Sequence, residues 1–212
     1  MALNWVWIGF FTVAFATAVV RWLLGEHGIL QALMTTMFDG ARSGWVDMTR
    51  ALRSPGSALK PFIYAMAYEA GLAHPETLIE DRPTAYGTYA PQNFDHQFHG
   101  TIRLREALQL SLNIPVVKLL DALGPEKLLT ALDQSSVHYR LPVGKAGLAI
   151  GLGGIGVTLE DMVTLYAGLA NGGTARPLRW RMDDPLTNGK QVITPAAAWQ
   201  VTDILTGLAP PP

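Results

Sequence analysis

In the stretch RSPGSALKPF (53–62), Ser57 and Lys60 stand three residues apart, directly after a Pro-Gly pair. Residues i and i+3 share one face of a helix, which puts an amine within reach of a hydroxyl. A serine alone is a poor nucleophile near neutral pH. An amine kept neutral by burial or by a cationic neighbour can take its proton. A helix opening at Ser57 adds a positive dipole end and an unpaired backbone N–H at the serine itself. That N–H can serve as one of two oxyanion donors. The plain alternative is an ordinary helix start followed by a solvated lysine.

A second short pattern, Ser111-Leu112-Asn113, bears on the choice. The 212 residues include six serines, five lysines and five asparagines. Composition alone then gives about 0.14 matches each to S-x-x-K and S-x-N, and about 0.02 for the pair. The chain holds one of each. Other residue groups carry less. Asp95, His96 and His99, in DHQFHG, have spacing compatible with a metal, but no fourth ligand cluster accompanies them. GLGGIG (151–156) lacks the preceding apolar strand and distant acid of a dinucleotide site, and is expected to serve tight packing or a substrate-side loop. Arg42, Arg50 and Arg53 read as a solvated face, and Trp180 and Trp199 as packing anchors.

These residues need elements to hold them. One helix is expected from Ser57 to about Ala70, introduced by Pro55-Gly56 and stopped by Gly71. Others are expected over Arg103–Leu110 with Thr101 as cap, and over Ile114–Leu123, with Pro115 in its first turn and Gly124 as stop. Further helices span Pro125–Leu132, Leu159–Ala170 after Thr158, and Thr194-Pro195 to about Leu208. Leu178–Met182 and Lys190–Ile193, around the Asn188-Gly189 turn signal, suggest the one small hairpin. The expected fold is therefore mostly α.

Bulk composition separates two unlike parts. Net charge is −1, so nothing points to nucleic acid, and the absence of cysteine excludes disulfides and thiol chemistry. Charged residues make up only 16%, and residues 1–40 hold just Arg21, Glu26 and Asp39 of them. Trp5 to Val20 runs sixteen residues without a charge. With its flanks, residues 3–24 are long enough for one membrane span, with Trp5, Trp7 and Trp22 near its ends. A buried core helix is the alternative. The organisation expected is residues 1–39 as a hydrophobic segment and 40–212 as a second, incomplete domain.

Four stretches in order, RSPGSALKPF, YAPQNFD (89–95), GTIRLREALQLSLNIPVVKLLDALG (100–124) and VTLEDMVTLYAGLANGG (157–173), resemble the transpeptidase domain of class A penicillin-binding proteins. Within that family they are most similar to the penicillin-binding protein 1C group, over about residues 40–209. The resemblance implies the serine β-lactamase and penicillin-binding protein fold, an α/β architecture of which this chain would hold mainly the helical part. It implies Ser57 as acyl-accepting nucleophile, Lys60 as proton acceptor, Ser111 as proton relay to the leaving amine, and Asn113 as binder of the donor peptide's amide. The implied partners are peptidoglycan stem peptides and β-lactams, with no cofactor. The implied place is the cytoplasmic membrane, with the site on its periplasmic or extracellular side. Residues 1–39 separately resemble the amino-terminal helix of spore-maturation-protein-A-like membrane proteins.

The family's third motif, K-[ST]-G, occurs nowhere in the sequence. Lys145-Ala146-Gly147 comes nearest, lacks the hydroxyl, and is read as a decoy. The expectation is a domain cut before the K-T-G strand, with weak activity or none. Two other readings stay open: an integral membrane protein of the spore-maturation type, and a non-catalytic module that binds peptidoglycan or a partner.

Overall fold

The computed structural model describes residues 49–142, 147–179 and 181–208. Six α-helices lie among them: α1 (Lys60–Glu69), α2 (Leu104–Gln109), α3 (Asn113–Leu123), α4 (Pro125–Gln134), α5 (Leu159–Ala170) and α6 (Pro195–Thr206). The sequence of α1, KPFIYAMAYE, has no polar stripe, and every residue from Lys60 to Tyr68 is buried. A helix apolar all round must be enclosed. α1 accordingly packs on α3 and α6, and the 3-10 turn Leu148–Leu152 packs on α3. Leu59, Ile63, Val116, Leu120, Leu128 and Val201 are among the side chains that close this core. Burying each contributes about 1.5–3 kcal/mol relative to exposure.

Local signals explain the boundaries. The expected helix over Ser57–Ala70 divides: Gly56–Leu59 is a 3-10 turn and the α-helix begins at Lys60. Pro61 has no N–H to reach back four residues to the Ser57 carbonyl. That carbonyl instead accepts from the Lys60 N–H, one residue closer, which is the 3-10 pattern. Gly124 ends α3 at φ 87°, a conformation open to glycine. Thr158 opens α5 with a reciprocal capping box to Asp161, and the Thr194 hydroxyl caps α6.

The short strands differ from expectation. They form three antiparallel pairs: β1 (Leu78–Asp81) with β2 (Gly100–Arg103), β3 (Tyr139–Arg140) with β4 (Gly156–Val157), and β5 (Thr174–Ala175) with β6 (Lys190–Gln191). Lys190–Gln191 thus pairs with Thr174–Ala175, and not with Leu178–Met182. Thr101 does not cap α2. It lies in β2 opposite Glu80, and its hydroxyl donates to Glu80 Oε1 at 2.6 Å. Trp199 is not a packing anchor, being 68% exposed. The buried stripe of α6 runs through Ala197, Ala198, Val201 and Ile204, and Trp199 falls off it.

Among the described residues, no helix is long and apolar enough to cross a membrane. The span expected over 3–24, the division at residues 39 and 40, Arg42, Lys145-Ala146 and Trp180 lie outside the described residues.

Candidate active site

Lys60 is 1% exposed, and its ammonium is ringed by oxygen atoms. Its Nζ donates to the Ser111 carbonyl at 2.5 Å, to Asn113 Oδ1 at 2.7 Å and to Ser111 Oγ at 3.2 Å. An ammonium has three donors, and each finds an acceptor here. Burial nevertheless pulls the amine down from 10.5 to about 8, because removing water disfavours the charged form. The lysine of S-x-x-K and both polar residues of S-x-N therefore meet at one point, although 51 to 53 residues separate them.

The backbone after α2 explains why Ser111 faces this point. The Ser111 N–H donates to the Leu108 carbonyl at 3.0 Å and the Leu112 N–H to the Ala107 carbonyl at 2.9 Å. This is the Schellman close of a helix, with Ser111 in the left-handed position that glycine usually takes. Its φ is 54°. A residue with a Cβ pays about 1–2 kcal/mol for that conformation. In return, both its carbonyl and its hydroxyl are aimed at Lys60. Leu112 is buried beside Ala107, and α3 then starts at Asn113.

Asn113 is gripped from the other side by the segment 92–93. Its Nδ2 donates to the Gln92 carbonyl at 2.6 Å, and its backbone N–H to Asn93 Oδ1 at 2.8 Å. Asn93 is buried, and its Nδ2 donates to both oxygens of buried Asp81, at 3.0 and 2.8 Å, and to the Gln97 carbonyl at 2.8 Å. The His99 N–H completes the carboxylate's shell at 2.8 Å. Motif spacing does not single out Asp81, Gln92 or Asn93. Gln92 and Asn93 show only as the QN pair inside the YAPQNFD stretch, and Asp81 has no signal there.

Ser57 lies in the 3-10 turn ahead of Lys60 and is exposed. Its hydroxyl forms no hydrogen bond to Lys60, which turns instead to Ser111 and Asn113. Catalytic hydrogen bonds often close only when substrate is present. The turn bearing Ser57 is fixed from below by the GLGGIG segment. Ser54 Oγ donates to the Gly153 carbonyl at 2.7 Å. A Cβ on Gly153 would fall 2.5 Å from both the Gly56 nitrogen and Ser54 Oγ, so only glycine fits. Gly151 is less constrained, since a Cβ there would meet only a Leu120 methyl, at 2.8 Å, which can shift. Gly153 thus allows close packing under the turn that bears Ser57.

Beside the same turn runs an open apolar groove lined by Pro55, Ala58, Val157, Leu159, Met162 and Tyr166. The Tyr166 hydroxyl donates to the Ala58 carbonyl at 2.9 Å. His96 Nδ1 lies 3.1 Å from Gln92 Oε1, and His99 Nε2 lies 3.6 Å from Asp95 Oδ2. No group of three or more histidine, aspartate or glutamate side chains gathers as metal ligands among the described residues.

Comparison with known proteins shows the family of the chain. Residues 45–211 match the profile of the penicillin binding protein transpeptidase domain. The chain is 44% identical to penicillin-binding protein 1C of Escherichia coli over 174 residues, 82% of this chain and 22% of that protein. It is 31% identical to penicillin-binding protein 1A of Rickettsia felis over 142 residues, 64% of this chain and 18% of that protein. It is 29% identical to penicillin-binding protein 1F of Bacillus subtilis over 180 residues, 79% of this chain and 24% of that protein. The chain thus spans about a fifth of the length of these relatives. A buried lysine shared between S-x-x-K and S-x-N, in a segment matched almost from end to end, makes this chain a member of the penicillin-binding protein transpeptidase domain family.

Proposed function

We propose that the chain carries the acyl-transfer site of a serine D-Ala-D-Ala transpeptidase that cross-links peptidoglycan. The observation that carries this reading is the enclosed Lys60 amine, lowered to about 8 and held against Ser111 and Asn113 one turn after an exposed serine. Neutral Lys60 takes the proton of Ser57. The Ser57 oxygen attacks the carbonyl of the penultimate D-Ala of a stem peptide. The Ser57 N–H, unpaired at the start of its turn, faces the developing oxyanion. The Ser111 hydroxyl, 3.2 Å from Lys60, passes the proton on to the amine of the departing D-Ala. An amine of a neighbouring strand then attacks the acyl-enzyme and frees Ser57. One hydrogen of Asn113 Nδ2 is committed to the Gln92 carbonyl, which leaves the other for a carbonyl of the donor peptide. β-Lactams acylate the same serine.

Two further parts of the reading rest on sequence. Residues 3–24 anchor the protein in the cytoplasmic membrane, and the site lies on the periplasmic side. The 212 residues contain no K-[ST]-G, the motif that in this family supplies a second oxyanion donor and the clamp on the substrate carboxylate. Loss of one oxyanion donor costs about 3–4 kcal/mol, or roughly 10²–10³ in rate. Acylation of the 212-residue chain is therefore slow. The test is incubation with a labelled penicillin and mapping of the adduct by mass spectrometry. A slowly formed adduct on Ser57, absent from Ser57→Ala, supports the proposal. An adduct elsewhere, or none after prolonged incubation, refutes it.

A further inference from the structure

Asp81 and Asn93 take no part in the chemistry just described, yet both are buried and both are tied to it. Asp81 is 0% exposed, and its carboxylate faces only donors from Asn93 and His99. Enclosing a carboxylate without a cationic partner is costly. Among the described residues none is paired with it. Such a group is expensive to keep as packing and calls for a reason.

The reason lies in the orientation of one amide. An asparagine side chain can sit in either of two orientations, exchanging its oxygen and nitrogen. At Asn93 one end meets three acceptors: both Asp81 oxygens and the Gln97 carbonyl. Only the NH2 group fits there. Oδ1 must then point the other way, where it accepts the Asn113 N–H at 2.8 Å. The neighbouring Gln92 carbonyl sorts Asn113 by the same logic. It takes Asn113 Nδ2 at 2.6 Å, so Asn113 Oδ1 must face Lys60, which it meets at 2.7 Å. In the ladder Asp81, Asn93, Asn113, Lys60, Asn93 thus holds the Asn113 backbone N–H in place while the Gln92 carbonyl orients the Asn113 amide toward Lys60.

We infer that Asn93, oriented by the buried Asp81 carboxylate, is a positioning residue that locks Asn113 and through it Lys60 in their working arrangement. The inference rests on the proposed function for its meaning in catalysis, but the positioning of Lys60 is testable without it. Asn93→Ala removes the acceptor for the Asn113 N–H and opens the ladder. Asp81→Asn keeps one carbonyl oxygen for the Asn93 NH2 and the His99 N–H and loses only the second Asn93 contact. Asp81→Ala removes both acceptors and leaves only the Gln97 carbonyl to orient the Asn93 amide.

The experiment treats the 212-residue chain and its variants with acetic anhydride and maps modification of each lysine by mass spectrometry. Exposed Lys127 and Lys190 serve as internal references. Melting curves are recorded alongside, and labelling is done well below each transition. In the unaltered chain Lys60 is protected. In Asn93→Ala its modification relative to Lys127 rises at least fivefold, and acylation of Ser57 by penicillin falls at least tenfold. Asp81→Asn keeps most of the protection that Asp81→Ala loses. A purely structural clip between segment 92–93 and α3 would lower the melting temperature and leave Lys60 protected. Unchanged protection in folded Asn93→Ala therefore overturns the inference. Should Asn93→Ala fail to fold, equal Lys60 reactivity in folded Asp81→Ala and in the unaltered chain overturns it instead. If the unaltered chain never acylates while Lys60 protection follows the expected pattern, the proposed function fails and the positioning of Lys60 stands.

Discussion

Folding lowers the Lys60 amine from 10.5 to about 8 by burial, which makes the stability of the fold depend on pH. Between these two values the unfolded chain still binds a proton that the folded chain has released. The fold is therefore weakest where Lys60 is charged in both states, below pH 8, and gains stability as pH rises toward 10.5. The gap is worth about 3 kcal/mol, and most of it falls between pH 7 and pH 10. Tyr64 and Tyr68 act in the opposite sense. Burial raises both phenols, so their contribution is complete below pH 10 and is lost above it. The measurement accordingly stops at pH 10. Urea unfolding at pH 7, 8, 9 and 10 is compared between the unaltered chain and Lys60→Met. The substitution leaves the Ser111 carbonyl and Asn113 Oδ1 without their donor, so it lowers stability at high pH. It also abolishes the rise from pH 7 to pH 10. Parallel curves for the two proteins would refute the claim that the enclosed amine of Lys60 is the titrating group.

Three further outcomes follow from the geometry. Gly153→Ala would place a Cβ 2.5 Å from the Gly56 nitrogen at a φ of 91°, and is expected to cost about 3 kcal/mol in urea unfolding and to slow acylation of Ser57 by displacing its turn. At Ser111, with φ 54°, Ser111→Gly should be more stable than Ser111→Ala by about 1 kcal/mol, while both lose the hydroxyl and acylate equally poorly. Thr158→Ala breaks the capping box of α5 and should cost about 1 kcal/mol, with Ser57 labelling unchanged at temperatures where the variant is folded.

How far the sequence reveals this molecule depends on the range of the forces involved. Helix ends are legible because they are local: Thr158 and Thr194 cap where expected, and Gly124 stops α3 in a conformation that favours glycine. The helix around Ser57 is legible in place but not in form, because the 3-10 start depends on an N–H that Pro61 lacks. The strands are poorly legible. β1 and β2 have four residues each and the other four strands two, too short to show an alternating pattern. Lys190–Gln191 pairs with a segment sixteen residues earlier that carries no strand signal. In the site, Ser57, Lys60, Ser111 and Asn113 stand out by residue type and spacing. The Asp81–Asn93 pair does not, since what distinguishes it is burial and a match of donors to acceptors across twelve residues. The same holds for Gly153, whose need for a bare backbone comes from Ser54 and Gly56, about a hundred residues away.

The central claim is that Ser57 is a nucleophile activated by the enclosed amine of Lys60. The pH dependence of its acylation tests this most directly. The rate of adduct formation on Ser57 by a labelled penicillin is followed by mass spectrometry from pH 6 to pH 10. Only the neutral amine can accept the serine proton. The rate should therefore rise about tenfold per pH unit at first, bend near pH 8 and level off above it. Lys60→Met should remove both the rise and nearly all of the rate. An adduct on Ser57 whose rate is flat with pH, or is unaffected by Lys60→Met, would contradict the account.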